Sequence, residues 1–364
     1  MDFIISKLYH LTMIKVAIII PTLNRPDFVL RQFAFYTKVK SPHPIYISDS
    51  SNQENAKEIT DGIKRYKNLD ITYQWALPGK DQIYKLLPLV KEKYCIQIGD
   101  DDFVIPNTIS ECADFLEDHP DYGTCMGKQV NIRLRSEDYD KAYGIIDRQT
   151  RPMGRSLEDN DPTSRLMNFW SDTFFACLTV RRIEIERSLR DMTKDFTFVD
   201  YMTEFLVASV PLIVGKMKIF DKLGYVMHIS SRRYGIVVNP SVANTASAIY
   251  NSEQWKICEK SLTKFISEIG VPEEDSLKLA QLAATLYLES QMAPDKNQLN
   301  INKDQSRGNY NNIIKILKRY LSKMKFIKSI YYKIKSPEYV ERPESKYFDD
   351  FKGVKDFLES RSSS

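Results

Sequence analysis

From residue 14 the chain alternates short apolar runs with amphipathic stretches, and this alternation limits the possible folds more than any other feature. "KVAIIIP", "PIYISDSS", "ITYQWA" and "YCIQIG" read as strands, and "RPDFVLRQFAFYTKV", "NQENAKEITDGIKRYKN" and "DQIYKLLPLVKEK" between them read as helices. The strands are apolar on both faces, which suits a parallel sheet covered by helices on either side. In such sheets ligands bind beyond the carboxyl ends of the strands. Polar residues collect there: Thr22 and Asn24 after the first strand, Asp49 after the second, and Asp100, Asp101 and Asp102 after the fourth.

The triplet "GDDD" needs a physical reason, because adjacent carboxylates repel unless water, donors or a cation offset them. A hard divalent ion, Mg²⁺ or Mn²⁺, takes oxygen ligands and commonly binds through one or two carboxylates plus substrate phosphates. In extended backbone, residues two apart point the same way. Asp100 and Asp102 are therefore expected to face one site while Asp101 turns aside. The competing reading is an acidic turn that opens the helix "PNTISECADFLEDH".

The order of motifs weighs between these readings. "VAIIIPTLNRPDFVLRQF", "ISDSS", "IGDDDFVIPNTI" and "FVDYMTEFL" together resemble, over roughly residues 14 to 235, the family 2 glycosyltransferases of the GT-A fold. The resemblance implies a nucleotide-diphospho-sugar transferase fold, α/β with a mostly parallel central sheet flanked by helices. It implies an inverting transfer of a hexosyl or N-acetylhexosaminyl group from a nucleotide-diphosphate sugar to a glycan or lipid-linked acceptor, in bacterial surface polysaccharide or glycolipid synthesis. Pro21, Thr22, Asn24 and Arg25 match the family's first turn, and Asp49 the residue that contacts the nucleobase. Asp100 and Asp102 match the metal-binding DxD, with Asp101 between them, and Asp200 the base that activates the acceptor. Val199 stands where the family has Glu and no QxxRW motif is present, so Glu204, one helical turn on, is the second candidate base.

Further cations suit a diphosphate. Lys80 and Arg25 sit at strand ends, Arg232 and Arg233 follow in "MHISSRRYG", and guanidinium matches phosphate bidentately. His228 is the late histidine expected to complete a metal shell, against the plainer reading of a buried, hydrogen-bonded side chain. Trp75 and Trp170 are expected in the core rather than against a sugar. A sugar-phosphate nucleotidyltransferase is the nearest alternative enzyme, but its usual glycine-rich loop is missing from "PTLNRPDF". A non-catalytic membrane-associated adaptor is the third reading.

After residue 120 the pattern shifts to longer strands and charged loops expected to close the sheet and cover the site. The resulting division is a transferase domain over 14–235, a helical extension over 236–300, and a linker, basic helix and tail over 301–364. Within the last, 313–336 carries eight Lys or Arg and no acid, with apolar residues at helical spacing. Such a helix is suited to an anionic membrane surface, or to docking on the body. Lys7, His10 and Lys15 interrupt the apolar N-terminus, so it reads neither as a span of ~18 apolar residues nor as a signal peptide. Five scattered cysteines without a CxxC pair fit reduced thiols and a cytoplasmic protein, peripheral at most on the inner membrane face. Fifty-two basic against 48 acidic residues, with no recognised nucleic-acid module around the basic run, point away from nucleic acid.

Overall fold

The structure, a computed structural model, describes residues 13–76, 82–138, 140–171, 178–193, 199–229, 253–292 and 340–360. The expected alternation is present: β1 (Val16–Thr22), α1 (Pro26–Lys38), β2 (Ile45–Asp49), α2 (Gln53–Ile63), β3 (Ile71–Trp75), α3 (Gln82–Leu86) and β4 (Tyr94–Gln97). Then follow β5 (Phe103–Val104), α4 (Pro106–Asp118), β6 (Tyr122–Leu134), β7 (Ile146–Gln149), α5 (Pro162–Trp170), β8 (Val180–Arg182), α6 (Ile183–Thr193), α7 (Val199–Val214) and β9 (Lys216–His228). The described helices after β9 are α8 (Glu253–Glu268), α9 (Glu273–Met292) and α10 (Phe348–Glu359).

All the described strands join one sheet in the order β3-β2-β1-β4-β8-β6-β9-β5, with β7 on the side of β6. The ladders among β3, β2, β1 and β4 are parallel, and so is the long ladder between β6 and β9. Among the described residues antiparallel pairing is limited to short ladders at β5, β7 and β8 and two isolated bridges, Gln129 with Met153 and Leu157 with Met217. The sheet is therefore mostly parallel by length of ladder, flanked by helices.

Alternation along β1 divides its side chains between two faces. Val16, Ile18 and Ile20 enter the main core with Phe33 and Phe35 of α1, whereas Ala17 and Ile19 enter a smaller core with Ile83, Leu86, Leu87 and Ile183. Both faces are dry, which is why these strands read as unbroken apolar runs. At the other end of the sheet β6 and β9 run so close that a Cβ on Gly127 would lie 2.7 Å from the Gly224 nitrogen. Glycine at both positions permits that approach, and the register shifts at the same point.

Helices α8 and α9 pack on one another and against α5, α6 and α7. The chain then returns as α10, whose Phe357 meets Phe35 at 5.4 Å and Phe103 at 6.3 Å between ring centroids. The sequence reading ends its elements at 336 and does not include α10. No helix among the described residues is long and apolar enough to cross a membrane.

Candidate functional site

Parallel pairing sets the carboxyl ends of β1, β2, β3 and β4 on one edge: Thr22 pairs with Asp49, and Asp49 with Trp75. The loops leaving β1 and β2 are joined there by side chains. Asn24 sits at a φ of 54°, a left-handed conformation that Asn tolerates better than most residues. Its side-chain Oδ1 accepts from the Asn52 amide at 2.9 Å and from Asn55 Nδ2 at 3.1 Å, and its own amide donates to Ser51 Oγ at 2.7 Å. Asp49 is buried, accepting from the Ser51 amide at 2.8 Å and from the Tyr73 hydroxyl at 2.6 Å. Burial, with Asp49 alongside, pushes the Tyr73 phenol well above its usual range. Asn24 and Asp49 thus build the rim, and the half-buried Trp75 indole closes it by donating to the Ser51 carbonyl at 2.8 Å.

The acidic triplet occupies the turn between β4 and β5, and its backbone is not extended. The Asp102 amide returns to the Gly99 carbonyl at 3.2 Å, so the two-residue alternation expected from the sequence does not apply. A Cβ on residue 99 would meet Asp101 Oδ1 at 2.7 Å and Asp102 Oδ2 at 2.9 Å, so Gly99 leaves room for the two carboxylates as they are placed. From α1, Gln32 Nε2 donates to the carbonyls of Asp100 and Asp102 at 2.8 and 2.5 Å, fixing the turn from below.

Asp100 and Asp101, rather than Asp100 and Asp102, act as a pair. Arg25 reaches Asp100 Oδ1 at 3.0 Å with one guanidinium nitrogen and Asp101 Oδ2 at 2.8 Å with another. Thr22 Oγ1 donates to the remaining oxygen of Asp100 at 2.7 Å. The guanidinium lies 4.1 Å from the centre of the Phe28 ring, a cation–π contact that adds to its orientation. Burial pushes Asp100 up to about 7 against the pull of Arg25. Burial acts in the same sense on Asp101, but Arg25 outweighs it and holds that carboxyl below its usual value.

Asp102 faces the other way. Its Oδ2 accepts from the Tyr225 hydroxyl at 2.5 Å and its Oδ1 from the His228 amide at 2.9 Å, both on β9. The His228 ring is buried, with Nδ1 3.2 Å from an Arg31 guanidinium nitrogen. A guanidinium only donates, so in this contact Nδ1 accepts and the imidazole proton sits on Nε2. Arg31 is itself fully buried, donates to the Ala142 carbonyl at 2.7 Å, and is flanked by the Phe28 and Phe103 rings at 4.8 and 4.6 Å. Burial lowers its pKa to about 10 despite the three nearby carboxylates, so it stays charged at neutral pH.

These positions do not fit a divalent ion. Among the described residues no three His, Cys, Asp or Glu side chains form a group able to hold a metal. Two guanidinium groups take the cationic places around the triplet, Asp102 is engaged with β9, and His228 Nδ1 is turned to Arg31. Thr22, Arg25, Asp100, Asp101, Asp102 and His228 are brought together, with Asn24, Asp49 and the half-buried Pro21 on the adjoining rim. Glu204 is half-buried on α7. Asp200 lies in the same helix with its side chain outside the described residues, as are Lys80, Arg232, Arg233 and the whole of 313–336.

Sequence reasoning missed Arg31, Gln32 and Tyr225. The first two carry a legible signal, since Phe28, Arg31, Gln32 and Phe35 share one helix face by spacing. Polar residues on an otherwise apolar core face call for buried partners. Tyr225 carries no such signal, because its partner is 123 positions away.

A scan against protein-family models and a search of curated proteins each find no match. Solved structures do resemble the chain. S. aureus TarS residues 1–349, in complex with UDP-GlcNAc, shares 12% identity with a TM-score of 0.44 over 76% of this chain and 90% of that one. The mannosyltransferase PcManGT from Pyrobaculum calidifontis, in complex with GDP-Man and Mn²⁺, shares 13% identity with a TM-score of 0.43 over 86% and 82%. Against a longer S. aureus TarS structure the chain spans 55% of the partner's length, with a TM-score of 0.39 over 76% of this chain and 12% identity.

Proposed function

We propose that the chain is a glycosyltransferase of the GT-A type, moving a sugar from a nucleotide-diphosphate donor to a hydroxyl of a glycan or lipid-linked acceptor with inversion. The observation that carries this reading is the meeting of three sequence motifs at one sheet edge: "PTLNR" through Thr22 and Arg25, "SDSS" through Asp49 and Ser51, and "GDDD" through Asp100 and Asp101. These are the segments whose order along the chain resembles family 2.

In this reading the rim around Asp49 and Trp75 receives the nucleoside, and the cluster at Arg25, Asp100 and Asp101 faces the diphosphate and sugar. Lys80, Arg232 and Arg233 are proposed as further diphosphate contacts. Asp200, with Glu204 as the second candidate, accepts the proton of the acceptor hydroxyl as its oxygen attacks the anomeric carbon. The bond from that carbon to the phosphate oxygen breaks, and the nucleoside diphosphate leaves with the electron pair. Charge developing on it needs an adjacent cation. Mn²⁺ or Mg²⁺ is the expected agent from the sequence, but the side chains as arranged do not fit the ion, so no step is assigned to it.

A panel of nucleotide sugars led by UDP-GlcNAc and GDP-Man, with glycan and lipid-linked acceptors, tests the proposal. Release of nucleoside diphosphate, together with a raised melting temperature for one nucleotide class, is the expected result. Release of pyrophosphate from a sugar phosphate and a nucleoside triphosphate would favour a nucleotidyltransferase instead, and turnover undiminished in Asp200→Asn would refute the assigned base.

A further inference from the structure

We infer that Arg25 is the cation that faces the donor diphosphate, so that nucleoside diphosphate binding at this site does not require a divalent metal. This inference rests on the glycosyltransferase reading and goes beyond it, because the resemblance to family 2 leads to the opposite expectation.

Each expected metal ligand is accounted for by another partner. Asp100 is held by Arg25 at 3.0 Å and by the Thr22 hydroxyl at 2.7 Å. Asp102 is held by the Tyr225 hydroxyl and the His228 amide. His228 turns Nδ1 toward Arg31 at 3.2 Å, which leaves its proton on Nε2 and removes the lone pair a metal would need. Asp101, the remaining carboxylate, also binds Arg25, at 2.8 Å.

Arg25 has the properties that the cationic role demands. It stands at the carboxyl edge directly after β1, and its side chain is 12% exposed, enough to be reached from solvent. Two carboxylates hold its guanidinium on one side and the Phe28 ring braces it at 4.1 Å. Its Nε is buried without a hydrogen-bond partner among the described residues, so any contact to a ligand falls to the terminal nitrogens. Behind it, the fully buried Arg31 has Nε and one terminal nitrogen likewise without partners. The chain has thus placed two permanent charges around three carboxylates. A divalent ion would have to displace Arg25 from both Asp100 and Asp101, leaving that charge beside its own. A diphosphate oxygen, by contrast, can accept from guanidinium hydrogens of Arg25 that its two carboxylate contacts leave over, without displacing either contact.

The test is calorimetric titration of the full chain with UDP and GDP, each in EDTA and in excess Mn²⁺, with electron paramagnetic resonance of added Mn²⁺ as a second readout. The expected result is that one nucleoside diphosphate binds with affinity changed less than about twofold between EDTA and Mn²⁺. Arg25→Ala is expected to lose about tenfold or more, as for other charge-assisted contacts, and Arg25→Lys less. Arg25→Ala should also acquire Mn²⁺ binding that the unaltered chain lacks, because it frees Asp100 and Asp101. Loss of about tenfold or more on EDTA treatment of the unaltered chain overturns the inference even if no variant folds, and so does an Arg25→Ala chain that binds as tightly as its parent. Binding of neither nucleoside diphosphate in either condition overturns the glycosyltransferase reading itself.

Discussion

Asp102 joins the acidic turn to β9 through two hydrogen bonds in a dry site, so its removal takes a buried acceptor from the Tyr225 hydroxyl and the His228 amide. Stranded donors of this kind are costly. Asp102→Ala is expected to lower unfolding free energy by about 3 kcal/mol, against about 1–2 kcal/mol for Tyr225→Phe. In chemical denaturation the double variant should cost less than the sum of the two, by about 1 kcal/mol, because the two residues share one interaction. Strict additivity would show that the contact stabilises nothing. At this scale the residue types were legible, for Thr22, Arg25 and the Asp triplet stand out at strand ends. Their pairing was not. Whether Arg25 takes Asp100 and Asp101 while Asp102 turns to β9 depends on the turn at Gly99, and the sequence pattern suggested extended backbone there.

Among the elements, α1 and α10 show how a helix far in sequence supports the turn. Helix α1 begins with Pro26 at its first turn, where a missing amide hydrogen costs nothing. It lays Phe28, Arg31, Gln32 and Phe35 on the face toward β5. On the far side α10 inserts Phe357 against Phe35, Phe103 and Tyr143, and Glu359 accepts from the Ile146 amide at 3.2 Å. Phe103 directly follows Asp102, so this aromatic cluster lies immediately behind the site. Phe357→Ala is expected to destabilise by about 3–5 kcal/mol and to raise hydrogen exchange at 99–104 relative to β1. An unchanged exchange pattern with the same loss of stability would disconnect α10 from the turn. The apolar spacing of Phe351, Val354, Phe357 and Leu358 is helical in the sequence, but it says nothing of the partner. That partner lies more than 200 residues away on β5, β7 and α1.

For the molecule as a whole, the first strand is locked to the helix after the acidic turn by one neutral histidine. His43 Nδ1 accepts from the Val16 amide at 3.1 Å, and Nε2 faces the Pro106 carbonyl at 3.0 Å. Protonating Nδ1 breaks the first bond inside a dry region, so burial lowers the His43 pKa from 6.5 to about 4. The unfolded chain then binds a proton between those values that the folded chain does not. Stability contributed by neutral His43 is complete above about pH 6.5 and falls as pH drops toward about 4, by up to about 3 kcal/mol. Thermal or denaturant unfolding at stepped pH should show that acid-side loss, and His43→Gln should flatten it. An identical pH slope in the variant would assign the loss to other groups. The β/α order and its parallel first half were fixed by the sequence alone, because strand and helix periodicity are local and both faces of these strands must be dry. So was the gathering of polar residues at the carboxyl edge, which follows from parallel pairing. Only the tertiary structure decided that β6 and β9 pair in parallel across a Gly127–Gly224 contact, that α10 closes the back of the site, and that guanidinium groups occupy the places around the acids where an ion was expected. Those outcomes depend on contacts between residues tens to hundreds of positions apart, and no local pattern encodes which of several compatible partners a charged side chain will meet.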